Sequence, residues 1–129
     1  MYLLFFLVDI CKNYKNLTDA ERKYDYVAGT YPKCDDTLNG WYRFQGAAGT
    51  KMVTTCPAMY RCGANFPAWL NEDHPTVAEG TVTRKVCIHR LQGACCDESL
   101  FIQVKNCSSY FIYKLSYPGV CDTRYCGTD

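Results

Sequence analysis

Apolar and β-branched residues alternate with polar ones over residues 81–88, and a period of two predicts a half-buried strand. The same pattern is clearest over residues 100–107 and 110–115. Leu100, Ile102 and Val104 fall on one side and Gln103 and Lys105 on the other, while Phe111, Tyr113 and Leu115 give the return strand an apolar face. Ser108 and Ser109 between them predict a hairpin turn. Residues 41–44, Trp-Tyr-Arg-Phe, follow the turn dipeptide Asn39-Gly40 and read as a further strand. One helical signal stands out: Thr18 and Glu21 have capping-box spacing, which predicts a short helix through about Lys23. Pro32, Pro57, Pro67, Pro75 and Pro118 fall between the predicted segments, where a missing N–H does least harm. Together these signals predict a mostly β domain of antiparallel strands, with one or two short helices and long loops. Residues 56–80 are expected to be irregular loop, poorly held by the core alone.

Cysteine changes that picture. Ten cysteines in 129 residues approach the density of a disulfide scaffold. Their even number lets every thiol pair, and five bridges require an oxidising, extracellular setting. Cys95 and Cys96 are adjacent, with Cα atoms about 3.8 Å apart. An unstrained bridge wants about 4.4–6.8 Å, so the two are expected to bond to different partners. Zinc is the rival reading. No Cys-x-x-Cys occurs, Cys121 and Cys126 alone come near that spacing, and His74 and His89 are far apart in sequence. No metal and no cofactor is expected. Counting leaves connectivity open, since five bridges allow on the order of a thousand arrangements.

The formal net charge of +1 gives no electrostatic reason to expect nucleic acid or an anionic membrane. Eleven tyrosines and two tryptophans suit a thin core filled by bulky amphipathic rings. The apolar run at residues 1–9 is far shorter than the roughly 20 residues of a membrane span. It also lacks the basic residue and small-residue cleavage site of a signal peptide.

No enzyme motif accompanies these features: neither Gly-x-Ser-x-Gly nor His-Glu-x-x-His is present. His74, before Pro75, is expected to make a loop hydrogen bond, and His89 to be a surface or packing residue. Ser99, Ser108, Ser109 and Ser116 have no base at motif spacing. Asp35-Asp36 is a weak start for a calcium site. Arg43 and Arg84 are expected to pair with carboxylates. Two glycosylation sequons occur, at Asn16-Leu17-Thr18 and Asn106-Cys107-Ser108. Asn16 is expected to be exposed, whereas a bridge at Cys107 would hide Asn106.

Several segments together resemble one family. Cys34-Asp35, Gly40-Trp41-Tyr42-Arg43-Phe44, Gly46, Gly49, Met52 and Cys56 match its opening pattern. Arg61-Cys62-Gly63, Pro67, Trp69-Leu70-Asn71 and His74-Pro75 follow. Val82, Arg84-Lys85, Cys87, Cys95-Cys96, Ile102, Val104 and Cys107 continue it, and Tyr113, Leu115, Cys121 and Arg124-Tyr125-Cys126 close it. The chain is thus similar to the eight-cysteine domain of the uromodulin-like family over residues 11–127. That leaves residues 1–10 as an apolar lead, either a truncated signal or the first strand of a module cut from a longer protein.

The resemblance implies the pairing Cys11–Cys107, Cys34–Cys121, Cys56–Cys95, Cys62–Cys126 and Cys87–Cys96. It also implies a non-catalytic extracellular interaction module of a larger secreted or cell-surface glycoprotein, acting by protein contact or glycan display. Its partner would be an extracellular protein or carbohydrate-binding protein, with no nucleic acid and no membrane insertion by this module. In relatives, a mannose-rich glycan acts as a decoy for bacterial fimbrial adhesins. That glycan's position corresponds here to Lys114, and a second family site to Asn71, where Asn71-Glu72-Asp73 is no sequon. Glu72 replaces a usual glycine. The competing reading is a stand-alone secreted disulfide-rich ligand or toxin-like factor.

Overall fold

The computed structural model describes residues 9–129, so the apolar lead lies largely outside the described residues. Nine strands form among the described residues: β1 (Lys15–Leu17), β2 (Asn39–Phe44), β3 (Lys51–Met52), β4 (Phe66–Leu70), β5 (Thr81–Ile88), β6 (Glu98–Asn106), β7 (Phe111–Ser116), β8 (Thr123–Tyr125) and β9 (Gly127–Thr128). Seven build one mixed sheet in the order β1-β2-β7-β6-β5-β4-β8, and β3 pairs with β9. The β1–β2 and β4–β8 pairs are parallel, and the other ladders are antiparallel.

The two-residue period fixes the sheet's faces. On β6, Ile102 and Val104 are buried while Phe101 and Gln103 are exposed. Tyr113 on β7, which pairs with Val104, and Val86 on β5, which pairs with Leu100, are buried too. The inward residues meet Leu17, Tyr42, Phe44, Leu70, Ile88, Leu115 and Tyr125 in one apolar cluster. A second cluster of Val53, Cys62, Trp69, Cys87 and Cys126 forms around β4 and β5, where disulfide sulfur supplements a thin core. The β6–β7 hairpin turns through Ser108 at φ +78°, and Cys107 N–H donates to Tyr110 O at 2.7 Å.

Three local expectations are corrected. The stretch 56–80 contains β4, flanked by β5 and β8. Its Pro67 therefore lies inside a strand. The fold tolerates it because Phe66 N–H reaches Asp122 O and Ala68 O accepts from Cys126 N–H, so those neighbours carry the ladder to β8. The Pro67 carbonyl accepts from His89 N–H.

The expected helix after Thr18 is only a 3-10 turn at Ala20–Arg22, with Asp19 at its N-cap position and no side-chain cap. Asp19 instead receives a bond from Arg124 Nη2 at 2.9 Å, and Arg22 turns inward to Asp35. Tertiary ion pairs override the local signal. A true capping box occurs at Thr76 and Glu79, where Thr76 N–H donates to Glu79 Oε1 at 2.9 Å and Glu79 N–H to Thr76 Oγ1 at 3.3 Å.

Gly127 marks a close approach of the backbone to its neighbours. A Cβ there would overlap the Ala48 carbonyl and the Phe44 ring, so only glycine lets β9 pack against the end of β2 and the turn at Gly46–Ala48.

Candidate interaction surface and its framework

Five disulfides hold the loops: Cys11–Cys107, Cys34–Cys121, Cys56–Cys95, Cys62–Cys126 and Cys87–Cys96. Adjacent Cys95 and Cys96 go to different partners, so strand β5 and the loop at Cys56 are tied to one point. Cys11–Cys107 spans 96 residues and Cys87–Cys96 only 9. In the chain-entropy model the first bridge stabilises by about 4.7 kcal/mol and the second by about 2.6 kcal/mol.

His89 is buried against Cys56–Cys95. Its Nδ1 is 2.9 Å from Pro57 O, to which it donates, and 3.5 Å from Cys56 Sγ. Cys56, His89 and Cys95 have metal-like proximity, but both sulfurs share one disulfide and neither is a thiolate ligand. Trp69 Nε1–H donates to Cys95 O at 2.9 Å, fixing the doublet to β4.

The candidate calcium ligand Asp35 faces inward. Arg22 grips it with both guanidinium nitrogens at 2.8 and 2.7 Å, Tyr125 N–H donates to it at 2.9 Å, and Arg124 Nε lies 3.5 Å away. A carboxylate committed to two guanidinium groups has no role left for a hard cation. Arg124 also holds the Asp19 carboxyl below its usual range through their hydrogen bond. This cluster joins the 3-10 turn at Ala20–Arg22 and the Asp35 segment to strand β8. No sequence signal points to it, because buried charge is invisible to hydropathy patterning.

Arg84 meets the expectation of a carboxylate partner, donating to Glu79 Oε2 at 3.1 Å. Arg43 does not. Its guanidinium lies 3.9 Å over the Tyr110 ring and donates to the Tyr14 hydroxyl at 3.0 Å, a cation–π contact that steadies the N-terminal segment on β2. His74 Nε2 lies 2.7 Å from the Tyr113 hydroxyl, and its ring stacks at 4.3 Å on Phe111. Both histidine rings thus serve structural bonds. Ser99 and Ser116 lie on β6 and β7, and Ser108 and Ser109 in the hairpin turn between them.

The two sequons differ in geometry. Asn16 is exposed on edge strand β1; its Oδ1 accepts from Gln45 Nε2. Asn106 is half-buried. Its Nδ2 donates to Pro75 O at 3.1 Å and its Oδ1 accepts from Ser108 N–H at 2.8 Å, so both ends of the amide are engaged. Lys114 is exposed at mid-strand, between Trp41 on β2 and Gln103 on β6. Asn71 is exposed just beyond β4, and Glu72 accepts from Lys85 N–H. Among the described residues no helix is long and apolar enough to cross a membrane.

Fold and framework define a disulfide-stapled β module with an open outer sheet face. Residues 42–127 match the model of the uromodulin-like eight-cysteine domain, and the chain belongs to that family. It is 43% identical over 119 residues to the pancreatic secretory granule membrane major glycoprotein GP2 of Canis lupus familiaris, covering 92% of this chain and 23% of that protein. It is 42% identical over 119 residues to uromodulin of Mus musculus, covering 92% and 18%, and 38% identical over 122 residues to the mouse GP2 glycoprotein, covering 92% and 23%. The chain therefore spans about a fifth of the length of these relatives.

Proposed function

We propose that this chain is a non-catalytic extracellular interaction module of a larger secreted or cell-surface glycoprotein, which presents an N-linked glycan at Asn16 to a carbohydrate-binding protein. The observation that carries this reading is the contrast between the sequons. Asn16 projects from an exposed edge strand, while the Asn106 amide is bonded at both ends and flanked by the bridged Cys107. A glycan at Asn106 would replace a hydrogen on the nitrogen that donates to Pro75 O, in a half-buried site. The structural commitments of His74 and His89 support an interaction role over catalysis.

The test is expression in a mannose-rich glycosylating host, with binding to a mannose-specific fimbrial adhesin as the readout. Wild-type protein is expected to bind and Asn16→Gln to lose binding, with mass spectrometry showing Asn16 occupied and Asn106 bare. Full adhesin binding by Asn16→Gln contradicts the proposal.

A further inference from the structure

The strand ladders assemble a polar row, with lysines on and beside it, on the sheet face opposite the main core. Trp41, Lys114, Gln103 and Thr83 are successive cross-strand neighbours on β2, β7, β6 and β5. Lys105 and Phe101 sit two residues to either side of Gln103 along β6 and point the same way. Alternation leaves no Asp or Glu at an outward position of these four strands. Among the described residues neither Lys105 nor Lys114 has an ion-pair partner. A chain of net charge +1 thus concentrates uncompensated positive charge on one open face.

That face also carries a hollow. A groove of about 290 Å³ is lined by Lys114, Gln103, Phe101, Thr83, Asn39 and Ser116 among others, and Phe101 is 68% exposed. A second hollow of about 370 Å³ is lined by Trp41 with Lys12, Asn13, Tyr14 and Lys15. Trp41 of the second hollow and Lys114 of the first are cross-strand neighbours, so the two hollows adjoin on one face.

We propose that this outer face binds an acidic oligosaccharide, one carrying carboxylate or sulfate groups. Lysines supply charge, and the amide and hydroxyl groups of Gln103, Thr83, Asn39 and Ser116 suit sugar hydroxyls. Phe101 and Trp41 offer ring faces to the apolar C–H sides of sugars. An acidic peptide fits less well. The strands β2, β7, β6 and β5 are paired on both sides, so a peptide finds no free backbone edge to extend. The site is distinct from glycan display at Asn16 and does not require it.

The experiment uses Asn16→Gln protein, which carries no glycan of its own at that site, titrated with a heparin-derived tetrasaccharide by calorimetry and amide NMR. Binding is expected to perturb β6 and β7 amides and to weaken severalfold between about 50 and about 300 mM salt. Lys105→Gln with Lys114→Gln is expected to weaken it by about tenfold or more, and Phe101→Ala by about threefold, each with unchanged thermal unfolding. Three results overturn the proposal: no binding at about 1 mM tetrasaccharide, equal affinity in these variants, or equal affinity for a neutral maltotetraose. Equal affinity for a poly-glutamate peptide or for phosphatidylserine vesicles overturns it as well, because the face would then read charge and not sugar. Each outcome is separable from adhesin capture through Asn16, which is lost in the starting protein.

Discussion

The Tyr113 hydroxyl is 2.7 Å from His74 Nε2 and accepts Met52 N–H at 2.9 Å. Tyr113 is wholly buried, and burial pushes its phenol far above the usual value. With Met52 N–H donating to the hydroxyl, a His74 ring unprotonated at Nε2 gives the buried Tyr113 proton its acceptor. The histidine that sequence reading placed in a loop contact is therefore the cap on a buried relay between β7 and β3.

Acid should loosen this relay. Burial, with Lys51 adding to it, lowers the His74 pKa to about 4 from the ordinary 6.5. The unfolded chain takes up the proton near pH 6.5 and the folded chain only near 4, so the folded state is favoured fully above pH 6.5. That stability is lost as pH falls from 6.5 toward 4. The ceiling is about 3 kcal/mol from the shift, reduced by residual solvent contact. Urea unfolding at pH 7.5 and 4.5 should show a lower midpoint in acid. His74→Gln should flatten that dependence, and an unchanged slope in the variant excludes His74 as its source.

The strands most visible in the sequence are those with one wet face. Residues 100–107 alternate most cleanly because β6 buries one side. Strand β5 ends on Val86, Cys87 and Ile88, all buried, and β7 buries adjacent Ile112 and Tyr113, yet the observed bounds of all three move by two residues at most. Strand β4 was hidden for the opposite reason. Pro67, Ala68, Trp69 and Leu70 are all buried, so Phe66–Leu70 has no period, and its proline reads as a breaker. The two-residue strands β3 and β9 are too short for any pattern. Asn16 and Lys114 were legible as candidates from sequon chemistry and the family resemblance, but their placement on sheet surface comes only from strand pairing. The Arg22–Asp35–Arg124 cluster was illegible, since nothing local distinguishes a buried arginine from a solvated one.

That cluster sets up an asymmetric response to mutation. Asp35 is 3% exposed and Arg22 and Arg124 are each 4% exposed. Asp35→Asn leaves two guanidinium groups facing a neutral amide, with the bidentate Arg22 contact and the Tyr125 N–H bond both weakened. Removing one partner of a buried charge cluster costs about 3–5 kcal/mol. Guanidinium denaturation with disulfides intact should read a loss in that range. Asp36→Asn, at the exposed neighbouring position, should change stability by less than about 0.5 kcal/mol. Equal effects at the two positions refute the assignment of Asp35 as the cluster's hub.

Lys114 decides between two uses of one surface. Its side chain stands outward between Trp41 and Gln103, while Tyr113 and Leu115 on either side point into the core. Lys114→Asn creates Asn-Leu-Ser over positions 114–116, with the exposed Ser116 supplying the third-position hydroxyl. A sugar chain attached there projects into solvent and disturbs no buried contact, so the folded protein should gain one glycan by mass with stability changed by less than about 0.5 kcal/mol. In an Asn16→Gln background, the added glycan should restore capture by a mannose-specific adhesin. The same substitution removes a central cation and covers the groove beside Phe101, so affinity for the acidic tetrasaccharide should fall below detection. If the variant is glycosylated at that position and still binds the acidic sugar like its parent, the ligand does not lie on this face.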